Sequence, residues 1–172
     1  MRREPALDTE AVVLARLDEL GVAYERLECD PEAADTVLFC ARYGVPPERS
    51  ANTILVVAKK EPRAYSASVV RASRRLDVNR TVRRLMGASR VSFASAEETT
   101  QLTGMMVGGV TPFGLPADVP IYVDEGLMPF DWIIVGGGGR SSKVRIAPAD
   151  LLRVPGAQVV KDLTLDRPDA VP

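Results

Sequence analysis

The 172-residue chain contains no histidine. That absence removes Ser-His and Cys-His nucleophile pairs, imidazole acid–base catalysis and every metal site built on imidazole. Cysteine is nearly as scarce. Cys29 and Cys40 are the only two, too few for a four-thiolate zinc site and outside any Cys-x-x-Cys spacing. They read as small apolar packing groups of a reduced, cytoplasmic protein. No stretch approaches the ~20 consecutive apolar residues that a membrane-spanning helix needs, and Met1-Arg2-Arg3-Glu4-Pro5 lacks the apolar core of a signal peptide. Chemistry therefore falls to carboxylates, lysine, tyrosine, hydroxyls, backbone amides or the substrate itself. No metal and no cofactor is expected.

With 46% apolar and 26% charged residues, the composition is that of an ordinary globular domain. One domain over residues 8–163 is expected, with 1–7 and 164–172 as frayed termini. Net charge is −1 but unevenly spread: residues 71–90 hold seven arginines against Asp77 alone, a net of +6, leaving −7 elsewhere. Such a stripe suits either a phosphate backbone or a solvated helix face.

Apolar spacing predicts a helix from Glu10 to Leu20 stopped by Gly21, and a strand over 23–29. Asp30-Pro31 opens a second helix running to Gly44. Thr53–Ala58 reads as a central strand paired with Tyr65–Val70, and Val78–Met86 as a helix ended by Gly87. A capping box, Ser95-x-x-Glu98, starts the helix that carries Leu102. Short strands follow at 121–124, 132–135 and 144–146, then a helix over 149–153. This mixture of helices and hairpins predicts a mixed α/β domain rather than a regular βαβ array.

Two glycine runs stand out. An apolar, strand-like stretch from Thr103 leads into Gly108-Gly109, with Pro112 and Gly114 close behind, and Gly136–Gly139 follows Trp132–Val135. Paired glycines in a strand mark a bulge, a corner or a close approach of backbone. Neither run fits a nucleotide motif. No helix opens after Gly139, and neither ends in Gly-Lys-Ser/Thr. A hairpin corner and a pocket lined by bare N–H groups both remain open readings.

The string Leu102-Thr103-Gly104, Val107-Gly108-Gly109-Val110-Thr111-Pro112-Phe113-Gly114 resembles the YbaK/prolyl-tRNA synthetase-associated editing domain family. So do Pro120–Asp124, Gly136–Arg140 and Ala147–Leu152, in matching order. The resemblance implies a curved, largely antiparallel mixed sheet flanked by helices. It also implies hydrolysis of the ester of mischarged tRNA in trans, without metal, with the tRNA and an aminoacyl-tRNA synthetase as partners. It assigns Asn52, Thr53, Gly108, Gly109 and Asp124 to catalysis. Thr111, Pro112, Gly114, Gly136, Gly137, Gly138 and Arg140 go to substrate binding, while the basic stripe puts Arg71, Arg74, Arg80, Arg83 and Arg84 forward for nucleic acid.

One position departs from the family pattern: Asn52 stands where matching members commonly have Lys before Thr53. An amide offers hydrogen bonds but no charge. Lys59, Lys60 and Arg140 are the replacements the sequence offers. The departure also admits an alternative, a catalytically impaired protein that binds aminoacyl-tRNA or a small aminoacyl or nucleotide ligand. Asp124 orients water or a substrate ammonium on one reading and caps the next turn on the other.

Overall fold

The computed structural model describes residues 8–168. Four α-helices are present among them: α1 (Thr9–Glu19), α2 (Thr36–Tyr43), α3 (Arg83–Met86) and α4 (Ala96–Thr103). The strands are β1 (Glu25–Glu28), β2 (Ala51–Ala58), β3 (Ala64–Arg71), β4 (Arg74–Leu76), β5 (Val91–Phe93), β6 (Ile121–Asp124), β7 (Ile133–Gly136), β8 (Ser142–Ile146), β9 (Ala157–Val160) and β10 (Thr164–Asp166). No helix among the described residues is long and apolar enough to cross a membrane.

β2 and β3 form the centre of a five-stranded sheet ordered β5-β2-β3-β6-β9. Its β5–β2 and β2–β3 pairings are antiparallel, while β3–β6 and β6–β9 run parallel. A three-stranded antiparallel sheet, β1-β8-β7, stands beside it, and β10 pairs with β4. Among the described residues, five antiparallel strand pairings against two parallel ones make a mixed sheet system.

β2 is continuously apolar from Ile54 to Ala58, and β3 buries even Ser66 and Ser68, because the sheet is covered on both faces. Period-2 alternation sends Leu55, Val69, Ile121 and Val123 into a core shared with α1, β7, β8 and Phe113. It sends Val56, Val70 and Tyr122 the other way, under Val78, Val82 and Leu163. A smaller cluster packs Phe39 and Cys40 of α2 on Ile134 of β7. α1 is capped by Asp8, whose carboxylate accepts from Ala11 N–H, and α4 carries the complete capping box at Ser95 and Glu98.

Several local expectations change. The helix expected after Asp30 splits into a 3₁₀ turn (Pro31–Ala33) and α2, because Asp35 adopts an extended conformation between them. Val78–Val82 is a π-helical turn leading into α3, and Pro148–Arg153 is 3₁₀. The stretch after Thr103 is an irregular loop up to Pro120, because its carbonyls are taken by partners other than a neighbouring strand. The expected frayed end begins too early: Thr164–Asp166 pairs with Leu76–Arg74. Residues 1–7 and 169–172 of the expected termini lie outside the described residues.

Candidate active site

The two larger sheets meet where Ser50, just before β2, bridges Ile134 of β7 in parallel. Strands diverging from such a junction leave space between their ends. Here a cavity of about 420 Å³ opens, walled by the start of β2, the end of β7, Lys143 of β8, the start of α2 and the Val107–Val110 loop. That volume lies within the ~300–1,000 Å³ range of small-molecule sites. Leu55, Ile134 and Val135 make its apolar wall, and Asn52, Thr53 and Lys143 bring polar atoms to it.

Three consecutive carbonyls of the glycine loop are turned into the protein. Val107 C=O accepts from Arg140 Nη1 at 2.8 Å, Gly108 C=O from Lys143 Nζ, and Gly109 C=O from Gly138 N–H at 2.6 Å. A trans peptide points its N–H opposite to its C=O. The N–H of Gly108 therefore faces away from Arg140 and that of Val110 away from Gly138, and neither donates to an acceptor among the described residues. The N–H of Gly109 is not bare, since it donates to Met106 C=O at 2.8 Å. The two glycine runs meet backbone to backbone. A Cβ at Gly109 would overlap the Gly139 carbonyl, which is why a side chain is excluded there.

Asn52 Oδ1 accepts from Thr36 Oγ1 at 2.5 Å, which ties β2 to the start of α2 and leaves the amide nitrogen unengaged. Thr53 is buried, lines the cavity, and its Oγ1 has no hydrogen-bond partner. A buried hydroxyl without a partner costs stability, so an orphan beside a cavity marks a place for a ligand atom.

Lys143 is 6% exposed, and its Nζ donates to Ala34 C=O at 2.8 Å and to Gly108 C=O. Burial pushes this ammonium below the usual lysine value. Arg140 adds to the push, while Cys29, Asp35 and Cys40 pull it back. The Phe39 ring lies 5.4 Å from Nζ. Sequence reading passed over Lys143 because a single Lys in a short strand reads as a solvated residue. The available signal was its register: it faces Gly136 across the β7–β8 hairpin, on the side where Gly136 leaves room for the glycine loop. Burial also raises the Cys29 and Cys40 thiols, which keeps both in the unreactive protonated form.

The structure brings Asn52, Thr53, Gly108 and Gly136 together around this cavity. It does not bring the rest there. Thr111 and Pro112 are buried, and Gly114 backs onto Met105 and Val12. Gly137 packs on Ser142 and Gly138 on α1 at Thr9 and Val13. Arg140 is a tie rather than a lining group, donating to Pro31 C=O, Asp35 and Val107 C=O. Lys59 and Lys60 follow the far end of β2, roughly 20 Å or more from Asn52 at strand rise, so neither replaces its charge.

Asp124 is also elsewhere. Its buried carboxylate accepts from Arg71 N–H, Nε and Nη2 and from Gly126 N–H, a structural ion pair and turn cap. That pair takes Arg71 out of the basic stripe, and Arg74 is taken out by Asp166 and Thr164. Arg80, Arg83 and Arg84 remain exposed, with no ion pair among the described residues. No group of three or more Cys, Asp or Glu side chains suited to a metal occurs among the described residues.

Comparison with known proteins places this geometry in a family. The aminoacyl-tRNA editing domain matches residues 30–154. Protein YwhH of Bacillus subtilis, itself uncharacterised, is 33% identical over 72 residues, 42% of this chain and 46% of that protein. The prolyl-tRNA editing protein ProX of Acetoanaerobium sticklandii is 24% identical over 152 residues, 86% of this chain and 91% of its own. The crystal structure of a candidate trans-editing enzyme for prolyl tRNA synthetase superposes with a TM-score of 0.77 at 25% identity, over 93% of this chain and 98% of the other. The family match spans the cavity walls from α2 through β8, and the chain belongs to the aminoacyl-tRNA editing domain family.

Proposed function

We propose that this protein hydrolyses the ester of mischarged aminoacyl-tRNA in trans, with the aminoacyl end seated in the cavity between β2, β7 and the glycine loop. The observation that carries this reading is the pair of unengaged N–H groups at Gly108 and Val110 on the wall of that cavity. An ester is already activated, so the site needs donors aimed at the developing oxyanion more than a strong base. The orphaned Thr53 hydroxyl and the unengaged amide nitrogen of Asn52 supply further contacts to the ribose or amino group of the substrate. Family membership and the prolyl-tRNA editing relative support the same reaction class.

Arg80, Arg83 and Arg84 are the part of the basic stripe left for the phosphate backbone of the tRNA, and a synthetase acting alongside the protein belongs to the same proposal. The binding-only alternative drew on Asn52 alone. No further observation favours it, and the family and its named relatives favour hydrolysis. Deacylation assayed against a panel of mischarged tRNAs tests the proposal. Hydrolysis of at least one above the uncatalysed rate is expected. Measurable binding of aminoacyl-tRNA with no hydrolysis of any would overturn it.

A further inference from the structure

We propose that Lys143 is the positively charged catalytic group of this site, donating a hydrogen bond to the carbonyl oxygen of the bound aminoacyl ester as that oxygen takes on negative charge. The inference rests on the deacylase reading above and names the residue that fills the role left by Asn52. Among the cavity-lining residues the only ionisable side chains are Lys143 and Asp35, and Lys143 is the sole cation. An ammonium has three donors. Two are engaged by the Ala34 and Gly108 carbonyls, and the third has no acceptor among the described residues.

A purely structural tie between α2 and the glycine loop would not need a charge. Burying an unneutralised ammonium is costly, and Asp35, the nearest anion on this wall, is already paired with Arg140 and half-exposed. The uncompensated cation is accounted for by a partner that acquires negative charge during the reaction. The register supports this. Lys143 and Gly136 face each other on β8 and β7, and Gly136 lets the glycine loop lie close enough for Lys143 to reach Gly108. Lys143 thus lines the same cavity as Gly108 and Val110, whose N–H groups have no acceptor among the described residues.

In the step proposed, the oxygen of a water molecule bonds to the ester carbonyl carbon while the carbonyl π pair moves onto its oxygen. That oxyanion is held by Lys143, Gly108 N–H and Val110 N–H. Collapse restores the C=O bond and breaks the bond to the ribose oxygen, which takes up the proton released by the water. Lys143 keeps its own proton throughout, and the products are the free amino acid and the tRNA hydroxyl.

The test uses the full chain and a mischarged tRNA that wild type hydrolyses. Lys143→Gln keeps a donor for the Ala34 and Gly108 carbonyls without the charge. Its kcat is expected to fall about a hundredfold, the loss typical of one oxyanion donor, with KM changed less than threefold. Adding Asn52→Lys to Lys143→Gln is expected to restore about tenfold, at least five times its effect in the wild-type background. Should Lys143→Gln fail to fold, the wild-type protein labelled with ¹⁵N at lysine Nζ serves instead. A non-hydrolysable 3′-aminoacylamino adenosine is expected to shift the Lys143 signal. A folded Lys143→Gln with wild-type kcat, equal effects of Asn52→Lys in both backgrounds, or an unmoved Lys143 signal would each overturn the assignment while leaving the deacylase reading intact. If wild type hydrolyses no mischarged tRNA, the deacylase reading fails and the assignment falls with it.

Discussion

Replacing Asp124 by alanine separates a structural carboxylate from a catalytic one. In the folded protein this side chain is 4% exposed and accepts four hydrogen bonds, from Arg71 N–H at 3.2 Å, Nε at 2.8 Å and Nη2 at 3.3 Å, and from Gly126 N–H at 2.9 Å. Asp124→Ala leaves a guanidinium and two backbone N–H groups without their acceptor. Breaking a buried pair from one side costs about 3–5 kcal/mol. The Arg71 side chain is 24% exposed and keeps some hydration, which places the cost near the lower end, about 3 kcal/mol. For a chain of this length each kcal/mol lowers the melting temperature by about 2–4 °C, so a fall of roughly 6–12 °C is expected by calorimetry. Deacylation is then measured well below the new transition, where the variant is folded and its cavity intact. A rate within threefold of wild type is expected. A rate a hundredfold lower in a variant whose melting temperature has not moved would refute the reasoning and return Asp124 to the chemistry.

Three further outcomes are expected. Thr53→Val, which removes the orphaned buried hydroxyl without changing side-chain shape, is expected to raise stability by about 1 kcal/mol in denaturant titration while weakening deacylation; a loss of stability would show that the hydroxyl has a partner. Replacing Arg80, Arg83 and Arg84 together by Gln is expected to flatten the dependence of log affinity for tRNA on log salt by about 2–3, because three phosphate contacts no longer release counterions; an unchanged slope would assign these arginines to ordinary surface. Lys143 titrates lower in the folded protein than in the unfolded chain, so the unfolded state binds more protons between its lowered value and about 10.4. Wild type is therefore expected to gain stability relative to Lys143→Met as pH rises through that window, with Asp35 and Arg140 as the neighbouring charges and Cys29 and Cys40 as the neighbouring titratable thiols; urea titrations in which the difference stays flat from neutral pH to 10 would contradict it.

Much of this was legible from local pattern, for a physical reason in each case. The capping box at Ser95, the glycine stops at Gly44 and Gly87, and the apolar run of β2 depend on contacts a few residues apart, and the structure has each of them. The absence of histidine already confined the chemistry to amides, hydroxyls, carboxylates and lysine. The glycine runs marked the close backbone approach between Gly109 and Gly138–Gly139 before any partner was known.

What local pattern could not supply was the partner of each polar group, because those partners lie tens of residues away. Asp124 and Arg71 are 53 positions apart, and their pairing converts an apparent catalytic acid and an apparent tRNA contact into a structural tie. Gly109 looked like a bare amide until Met106 engaged it, whereas Gly108 and Val110 were freed by carbonyls drawn to Arg140, Lys143 and Gly138. Lys143 had no feature of its own in the sequence. It became a buried cation only when β8 paired with β7 opposite Gly136 and α2 closed over it with the Ala34 carbonyl. The sequence by itself determined the elements, their caps and the kinds of group available for chemistry, since these follow from short-range sterics and periodicity. Tertiary structure alone decided which of those groups stayed unpartnered beside a cavity, since satisfaction of a donor or a charge depends on the whole set of neighbours that folding brings to it.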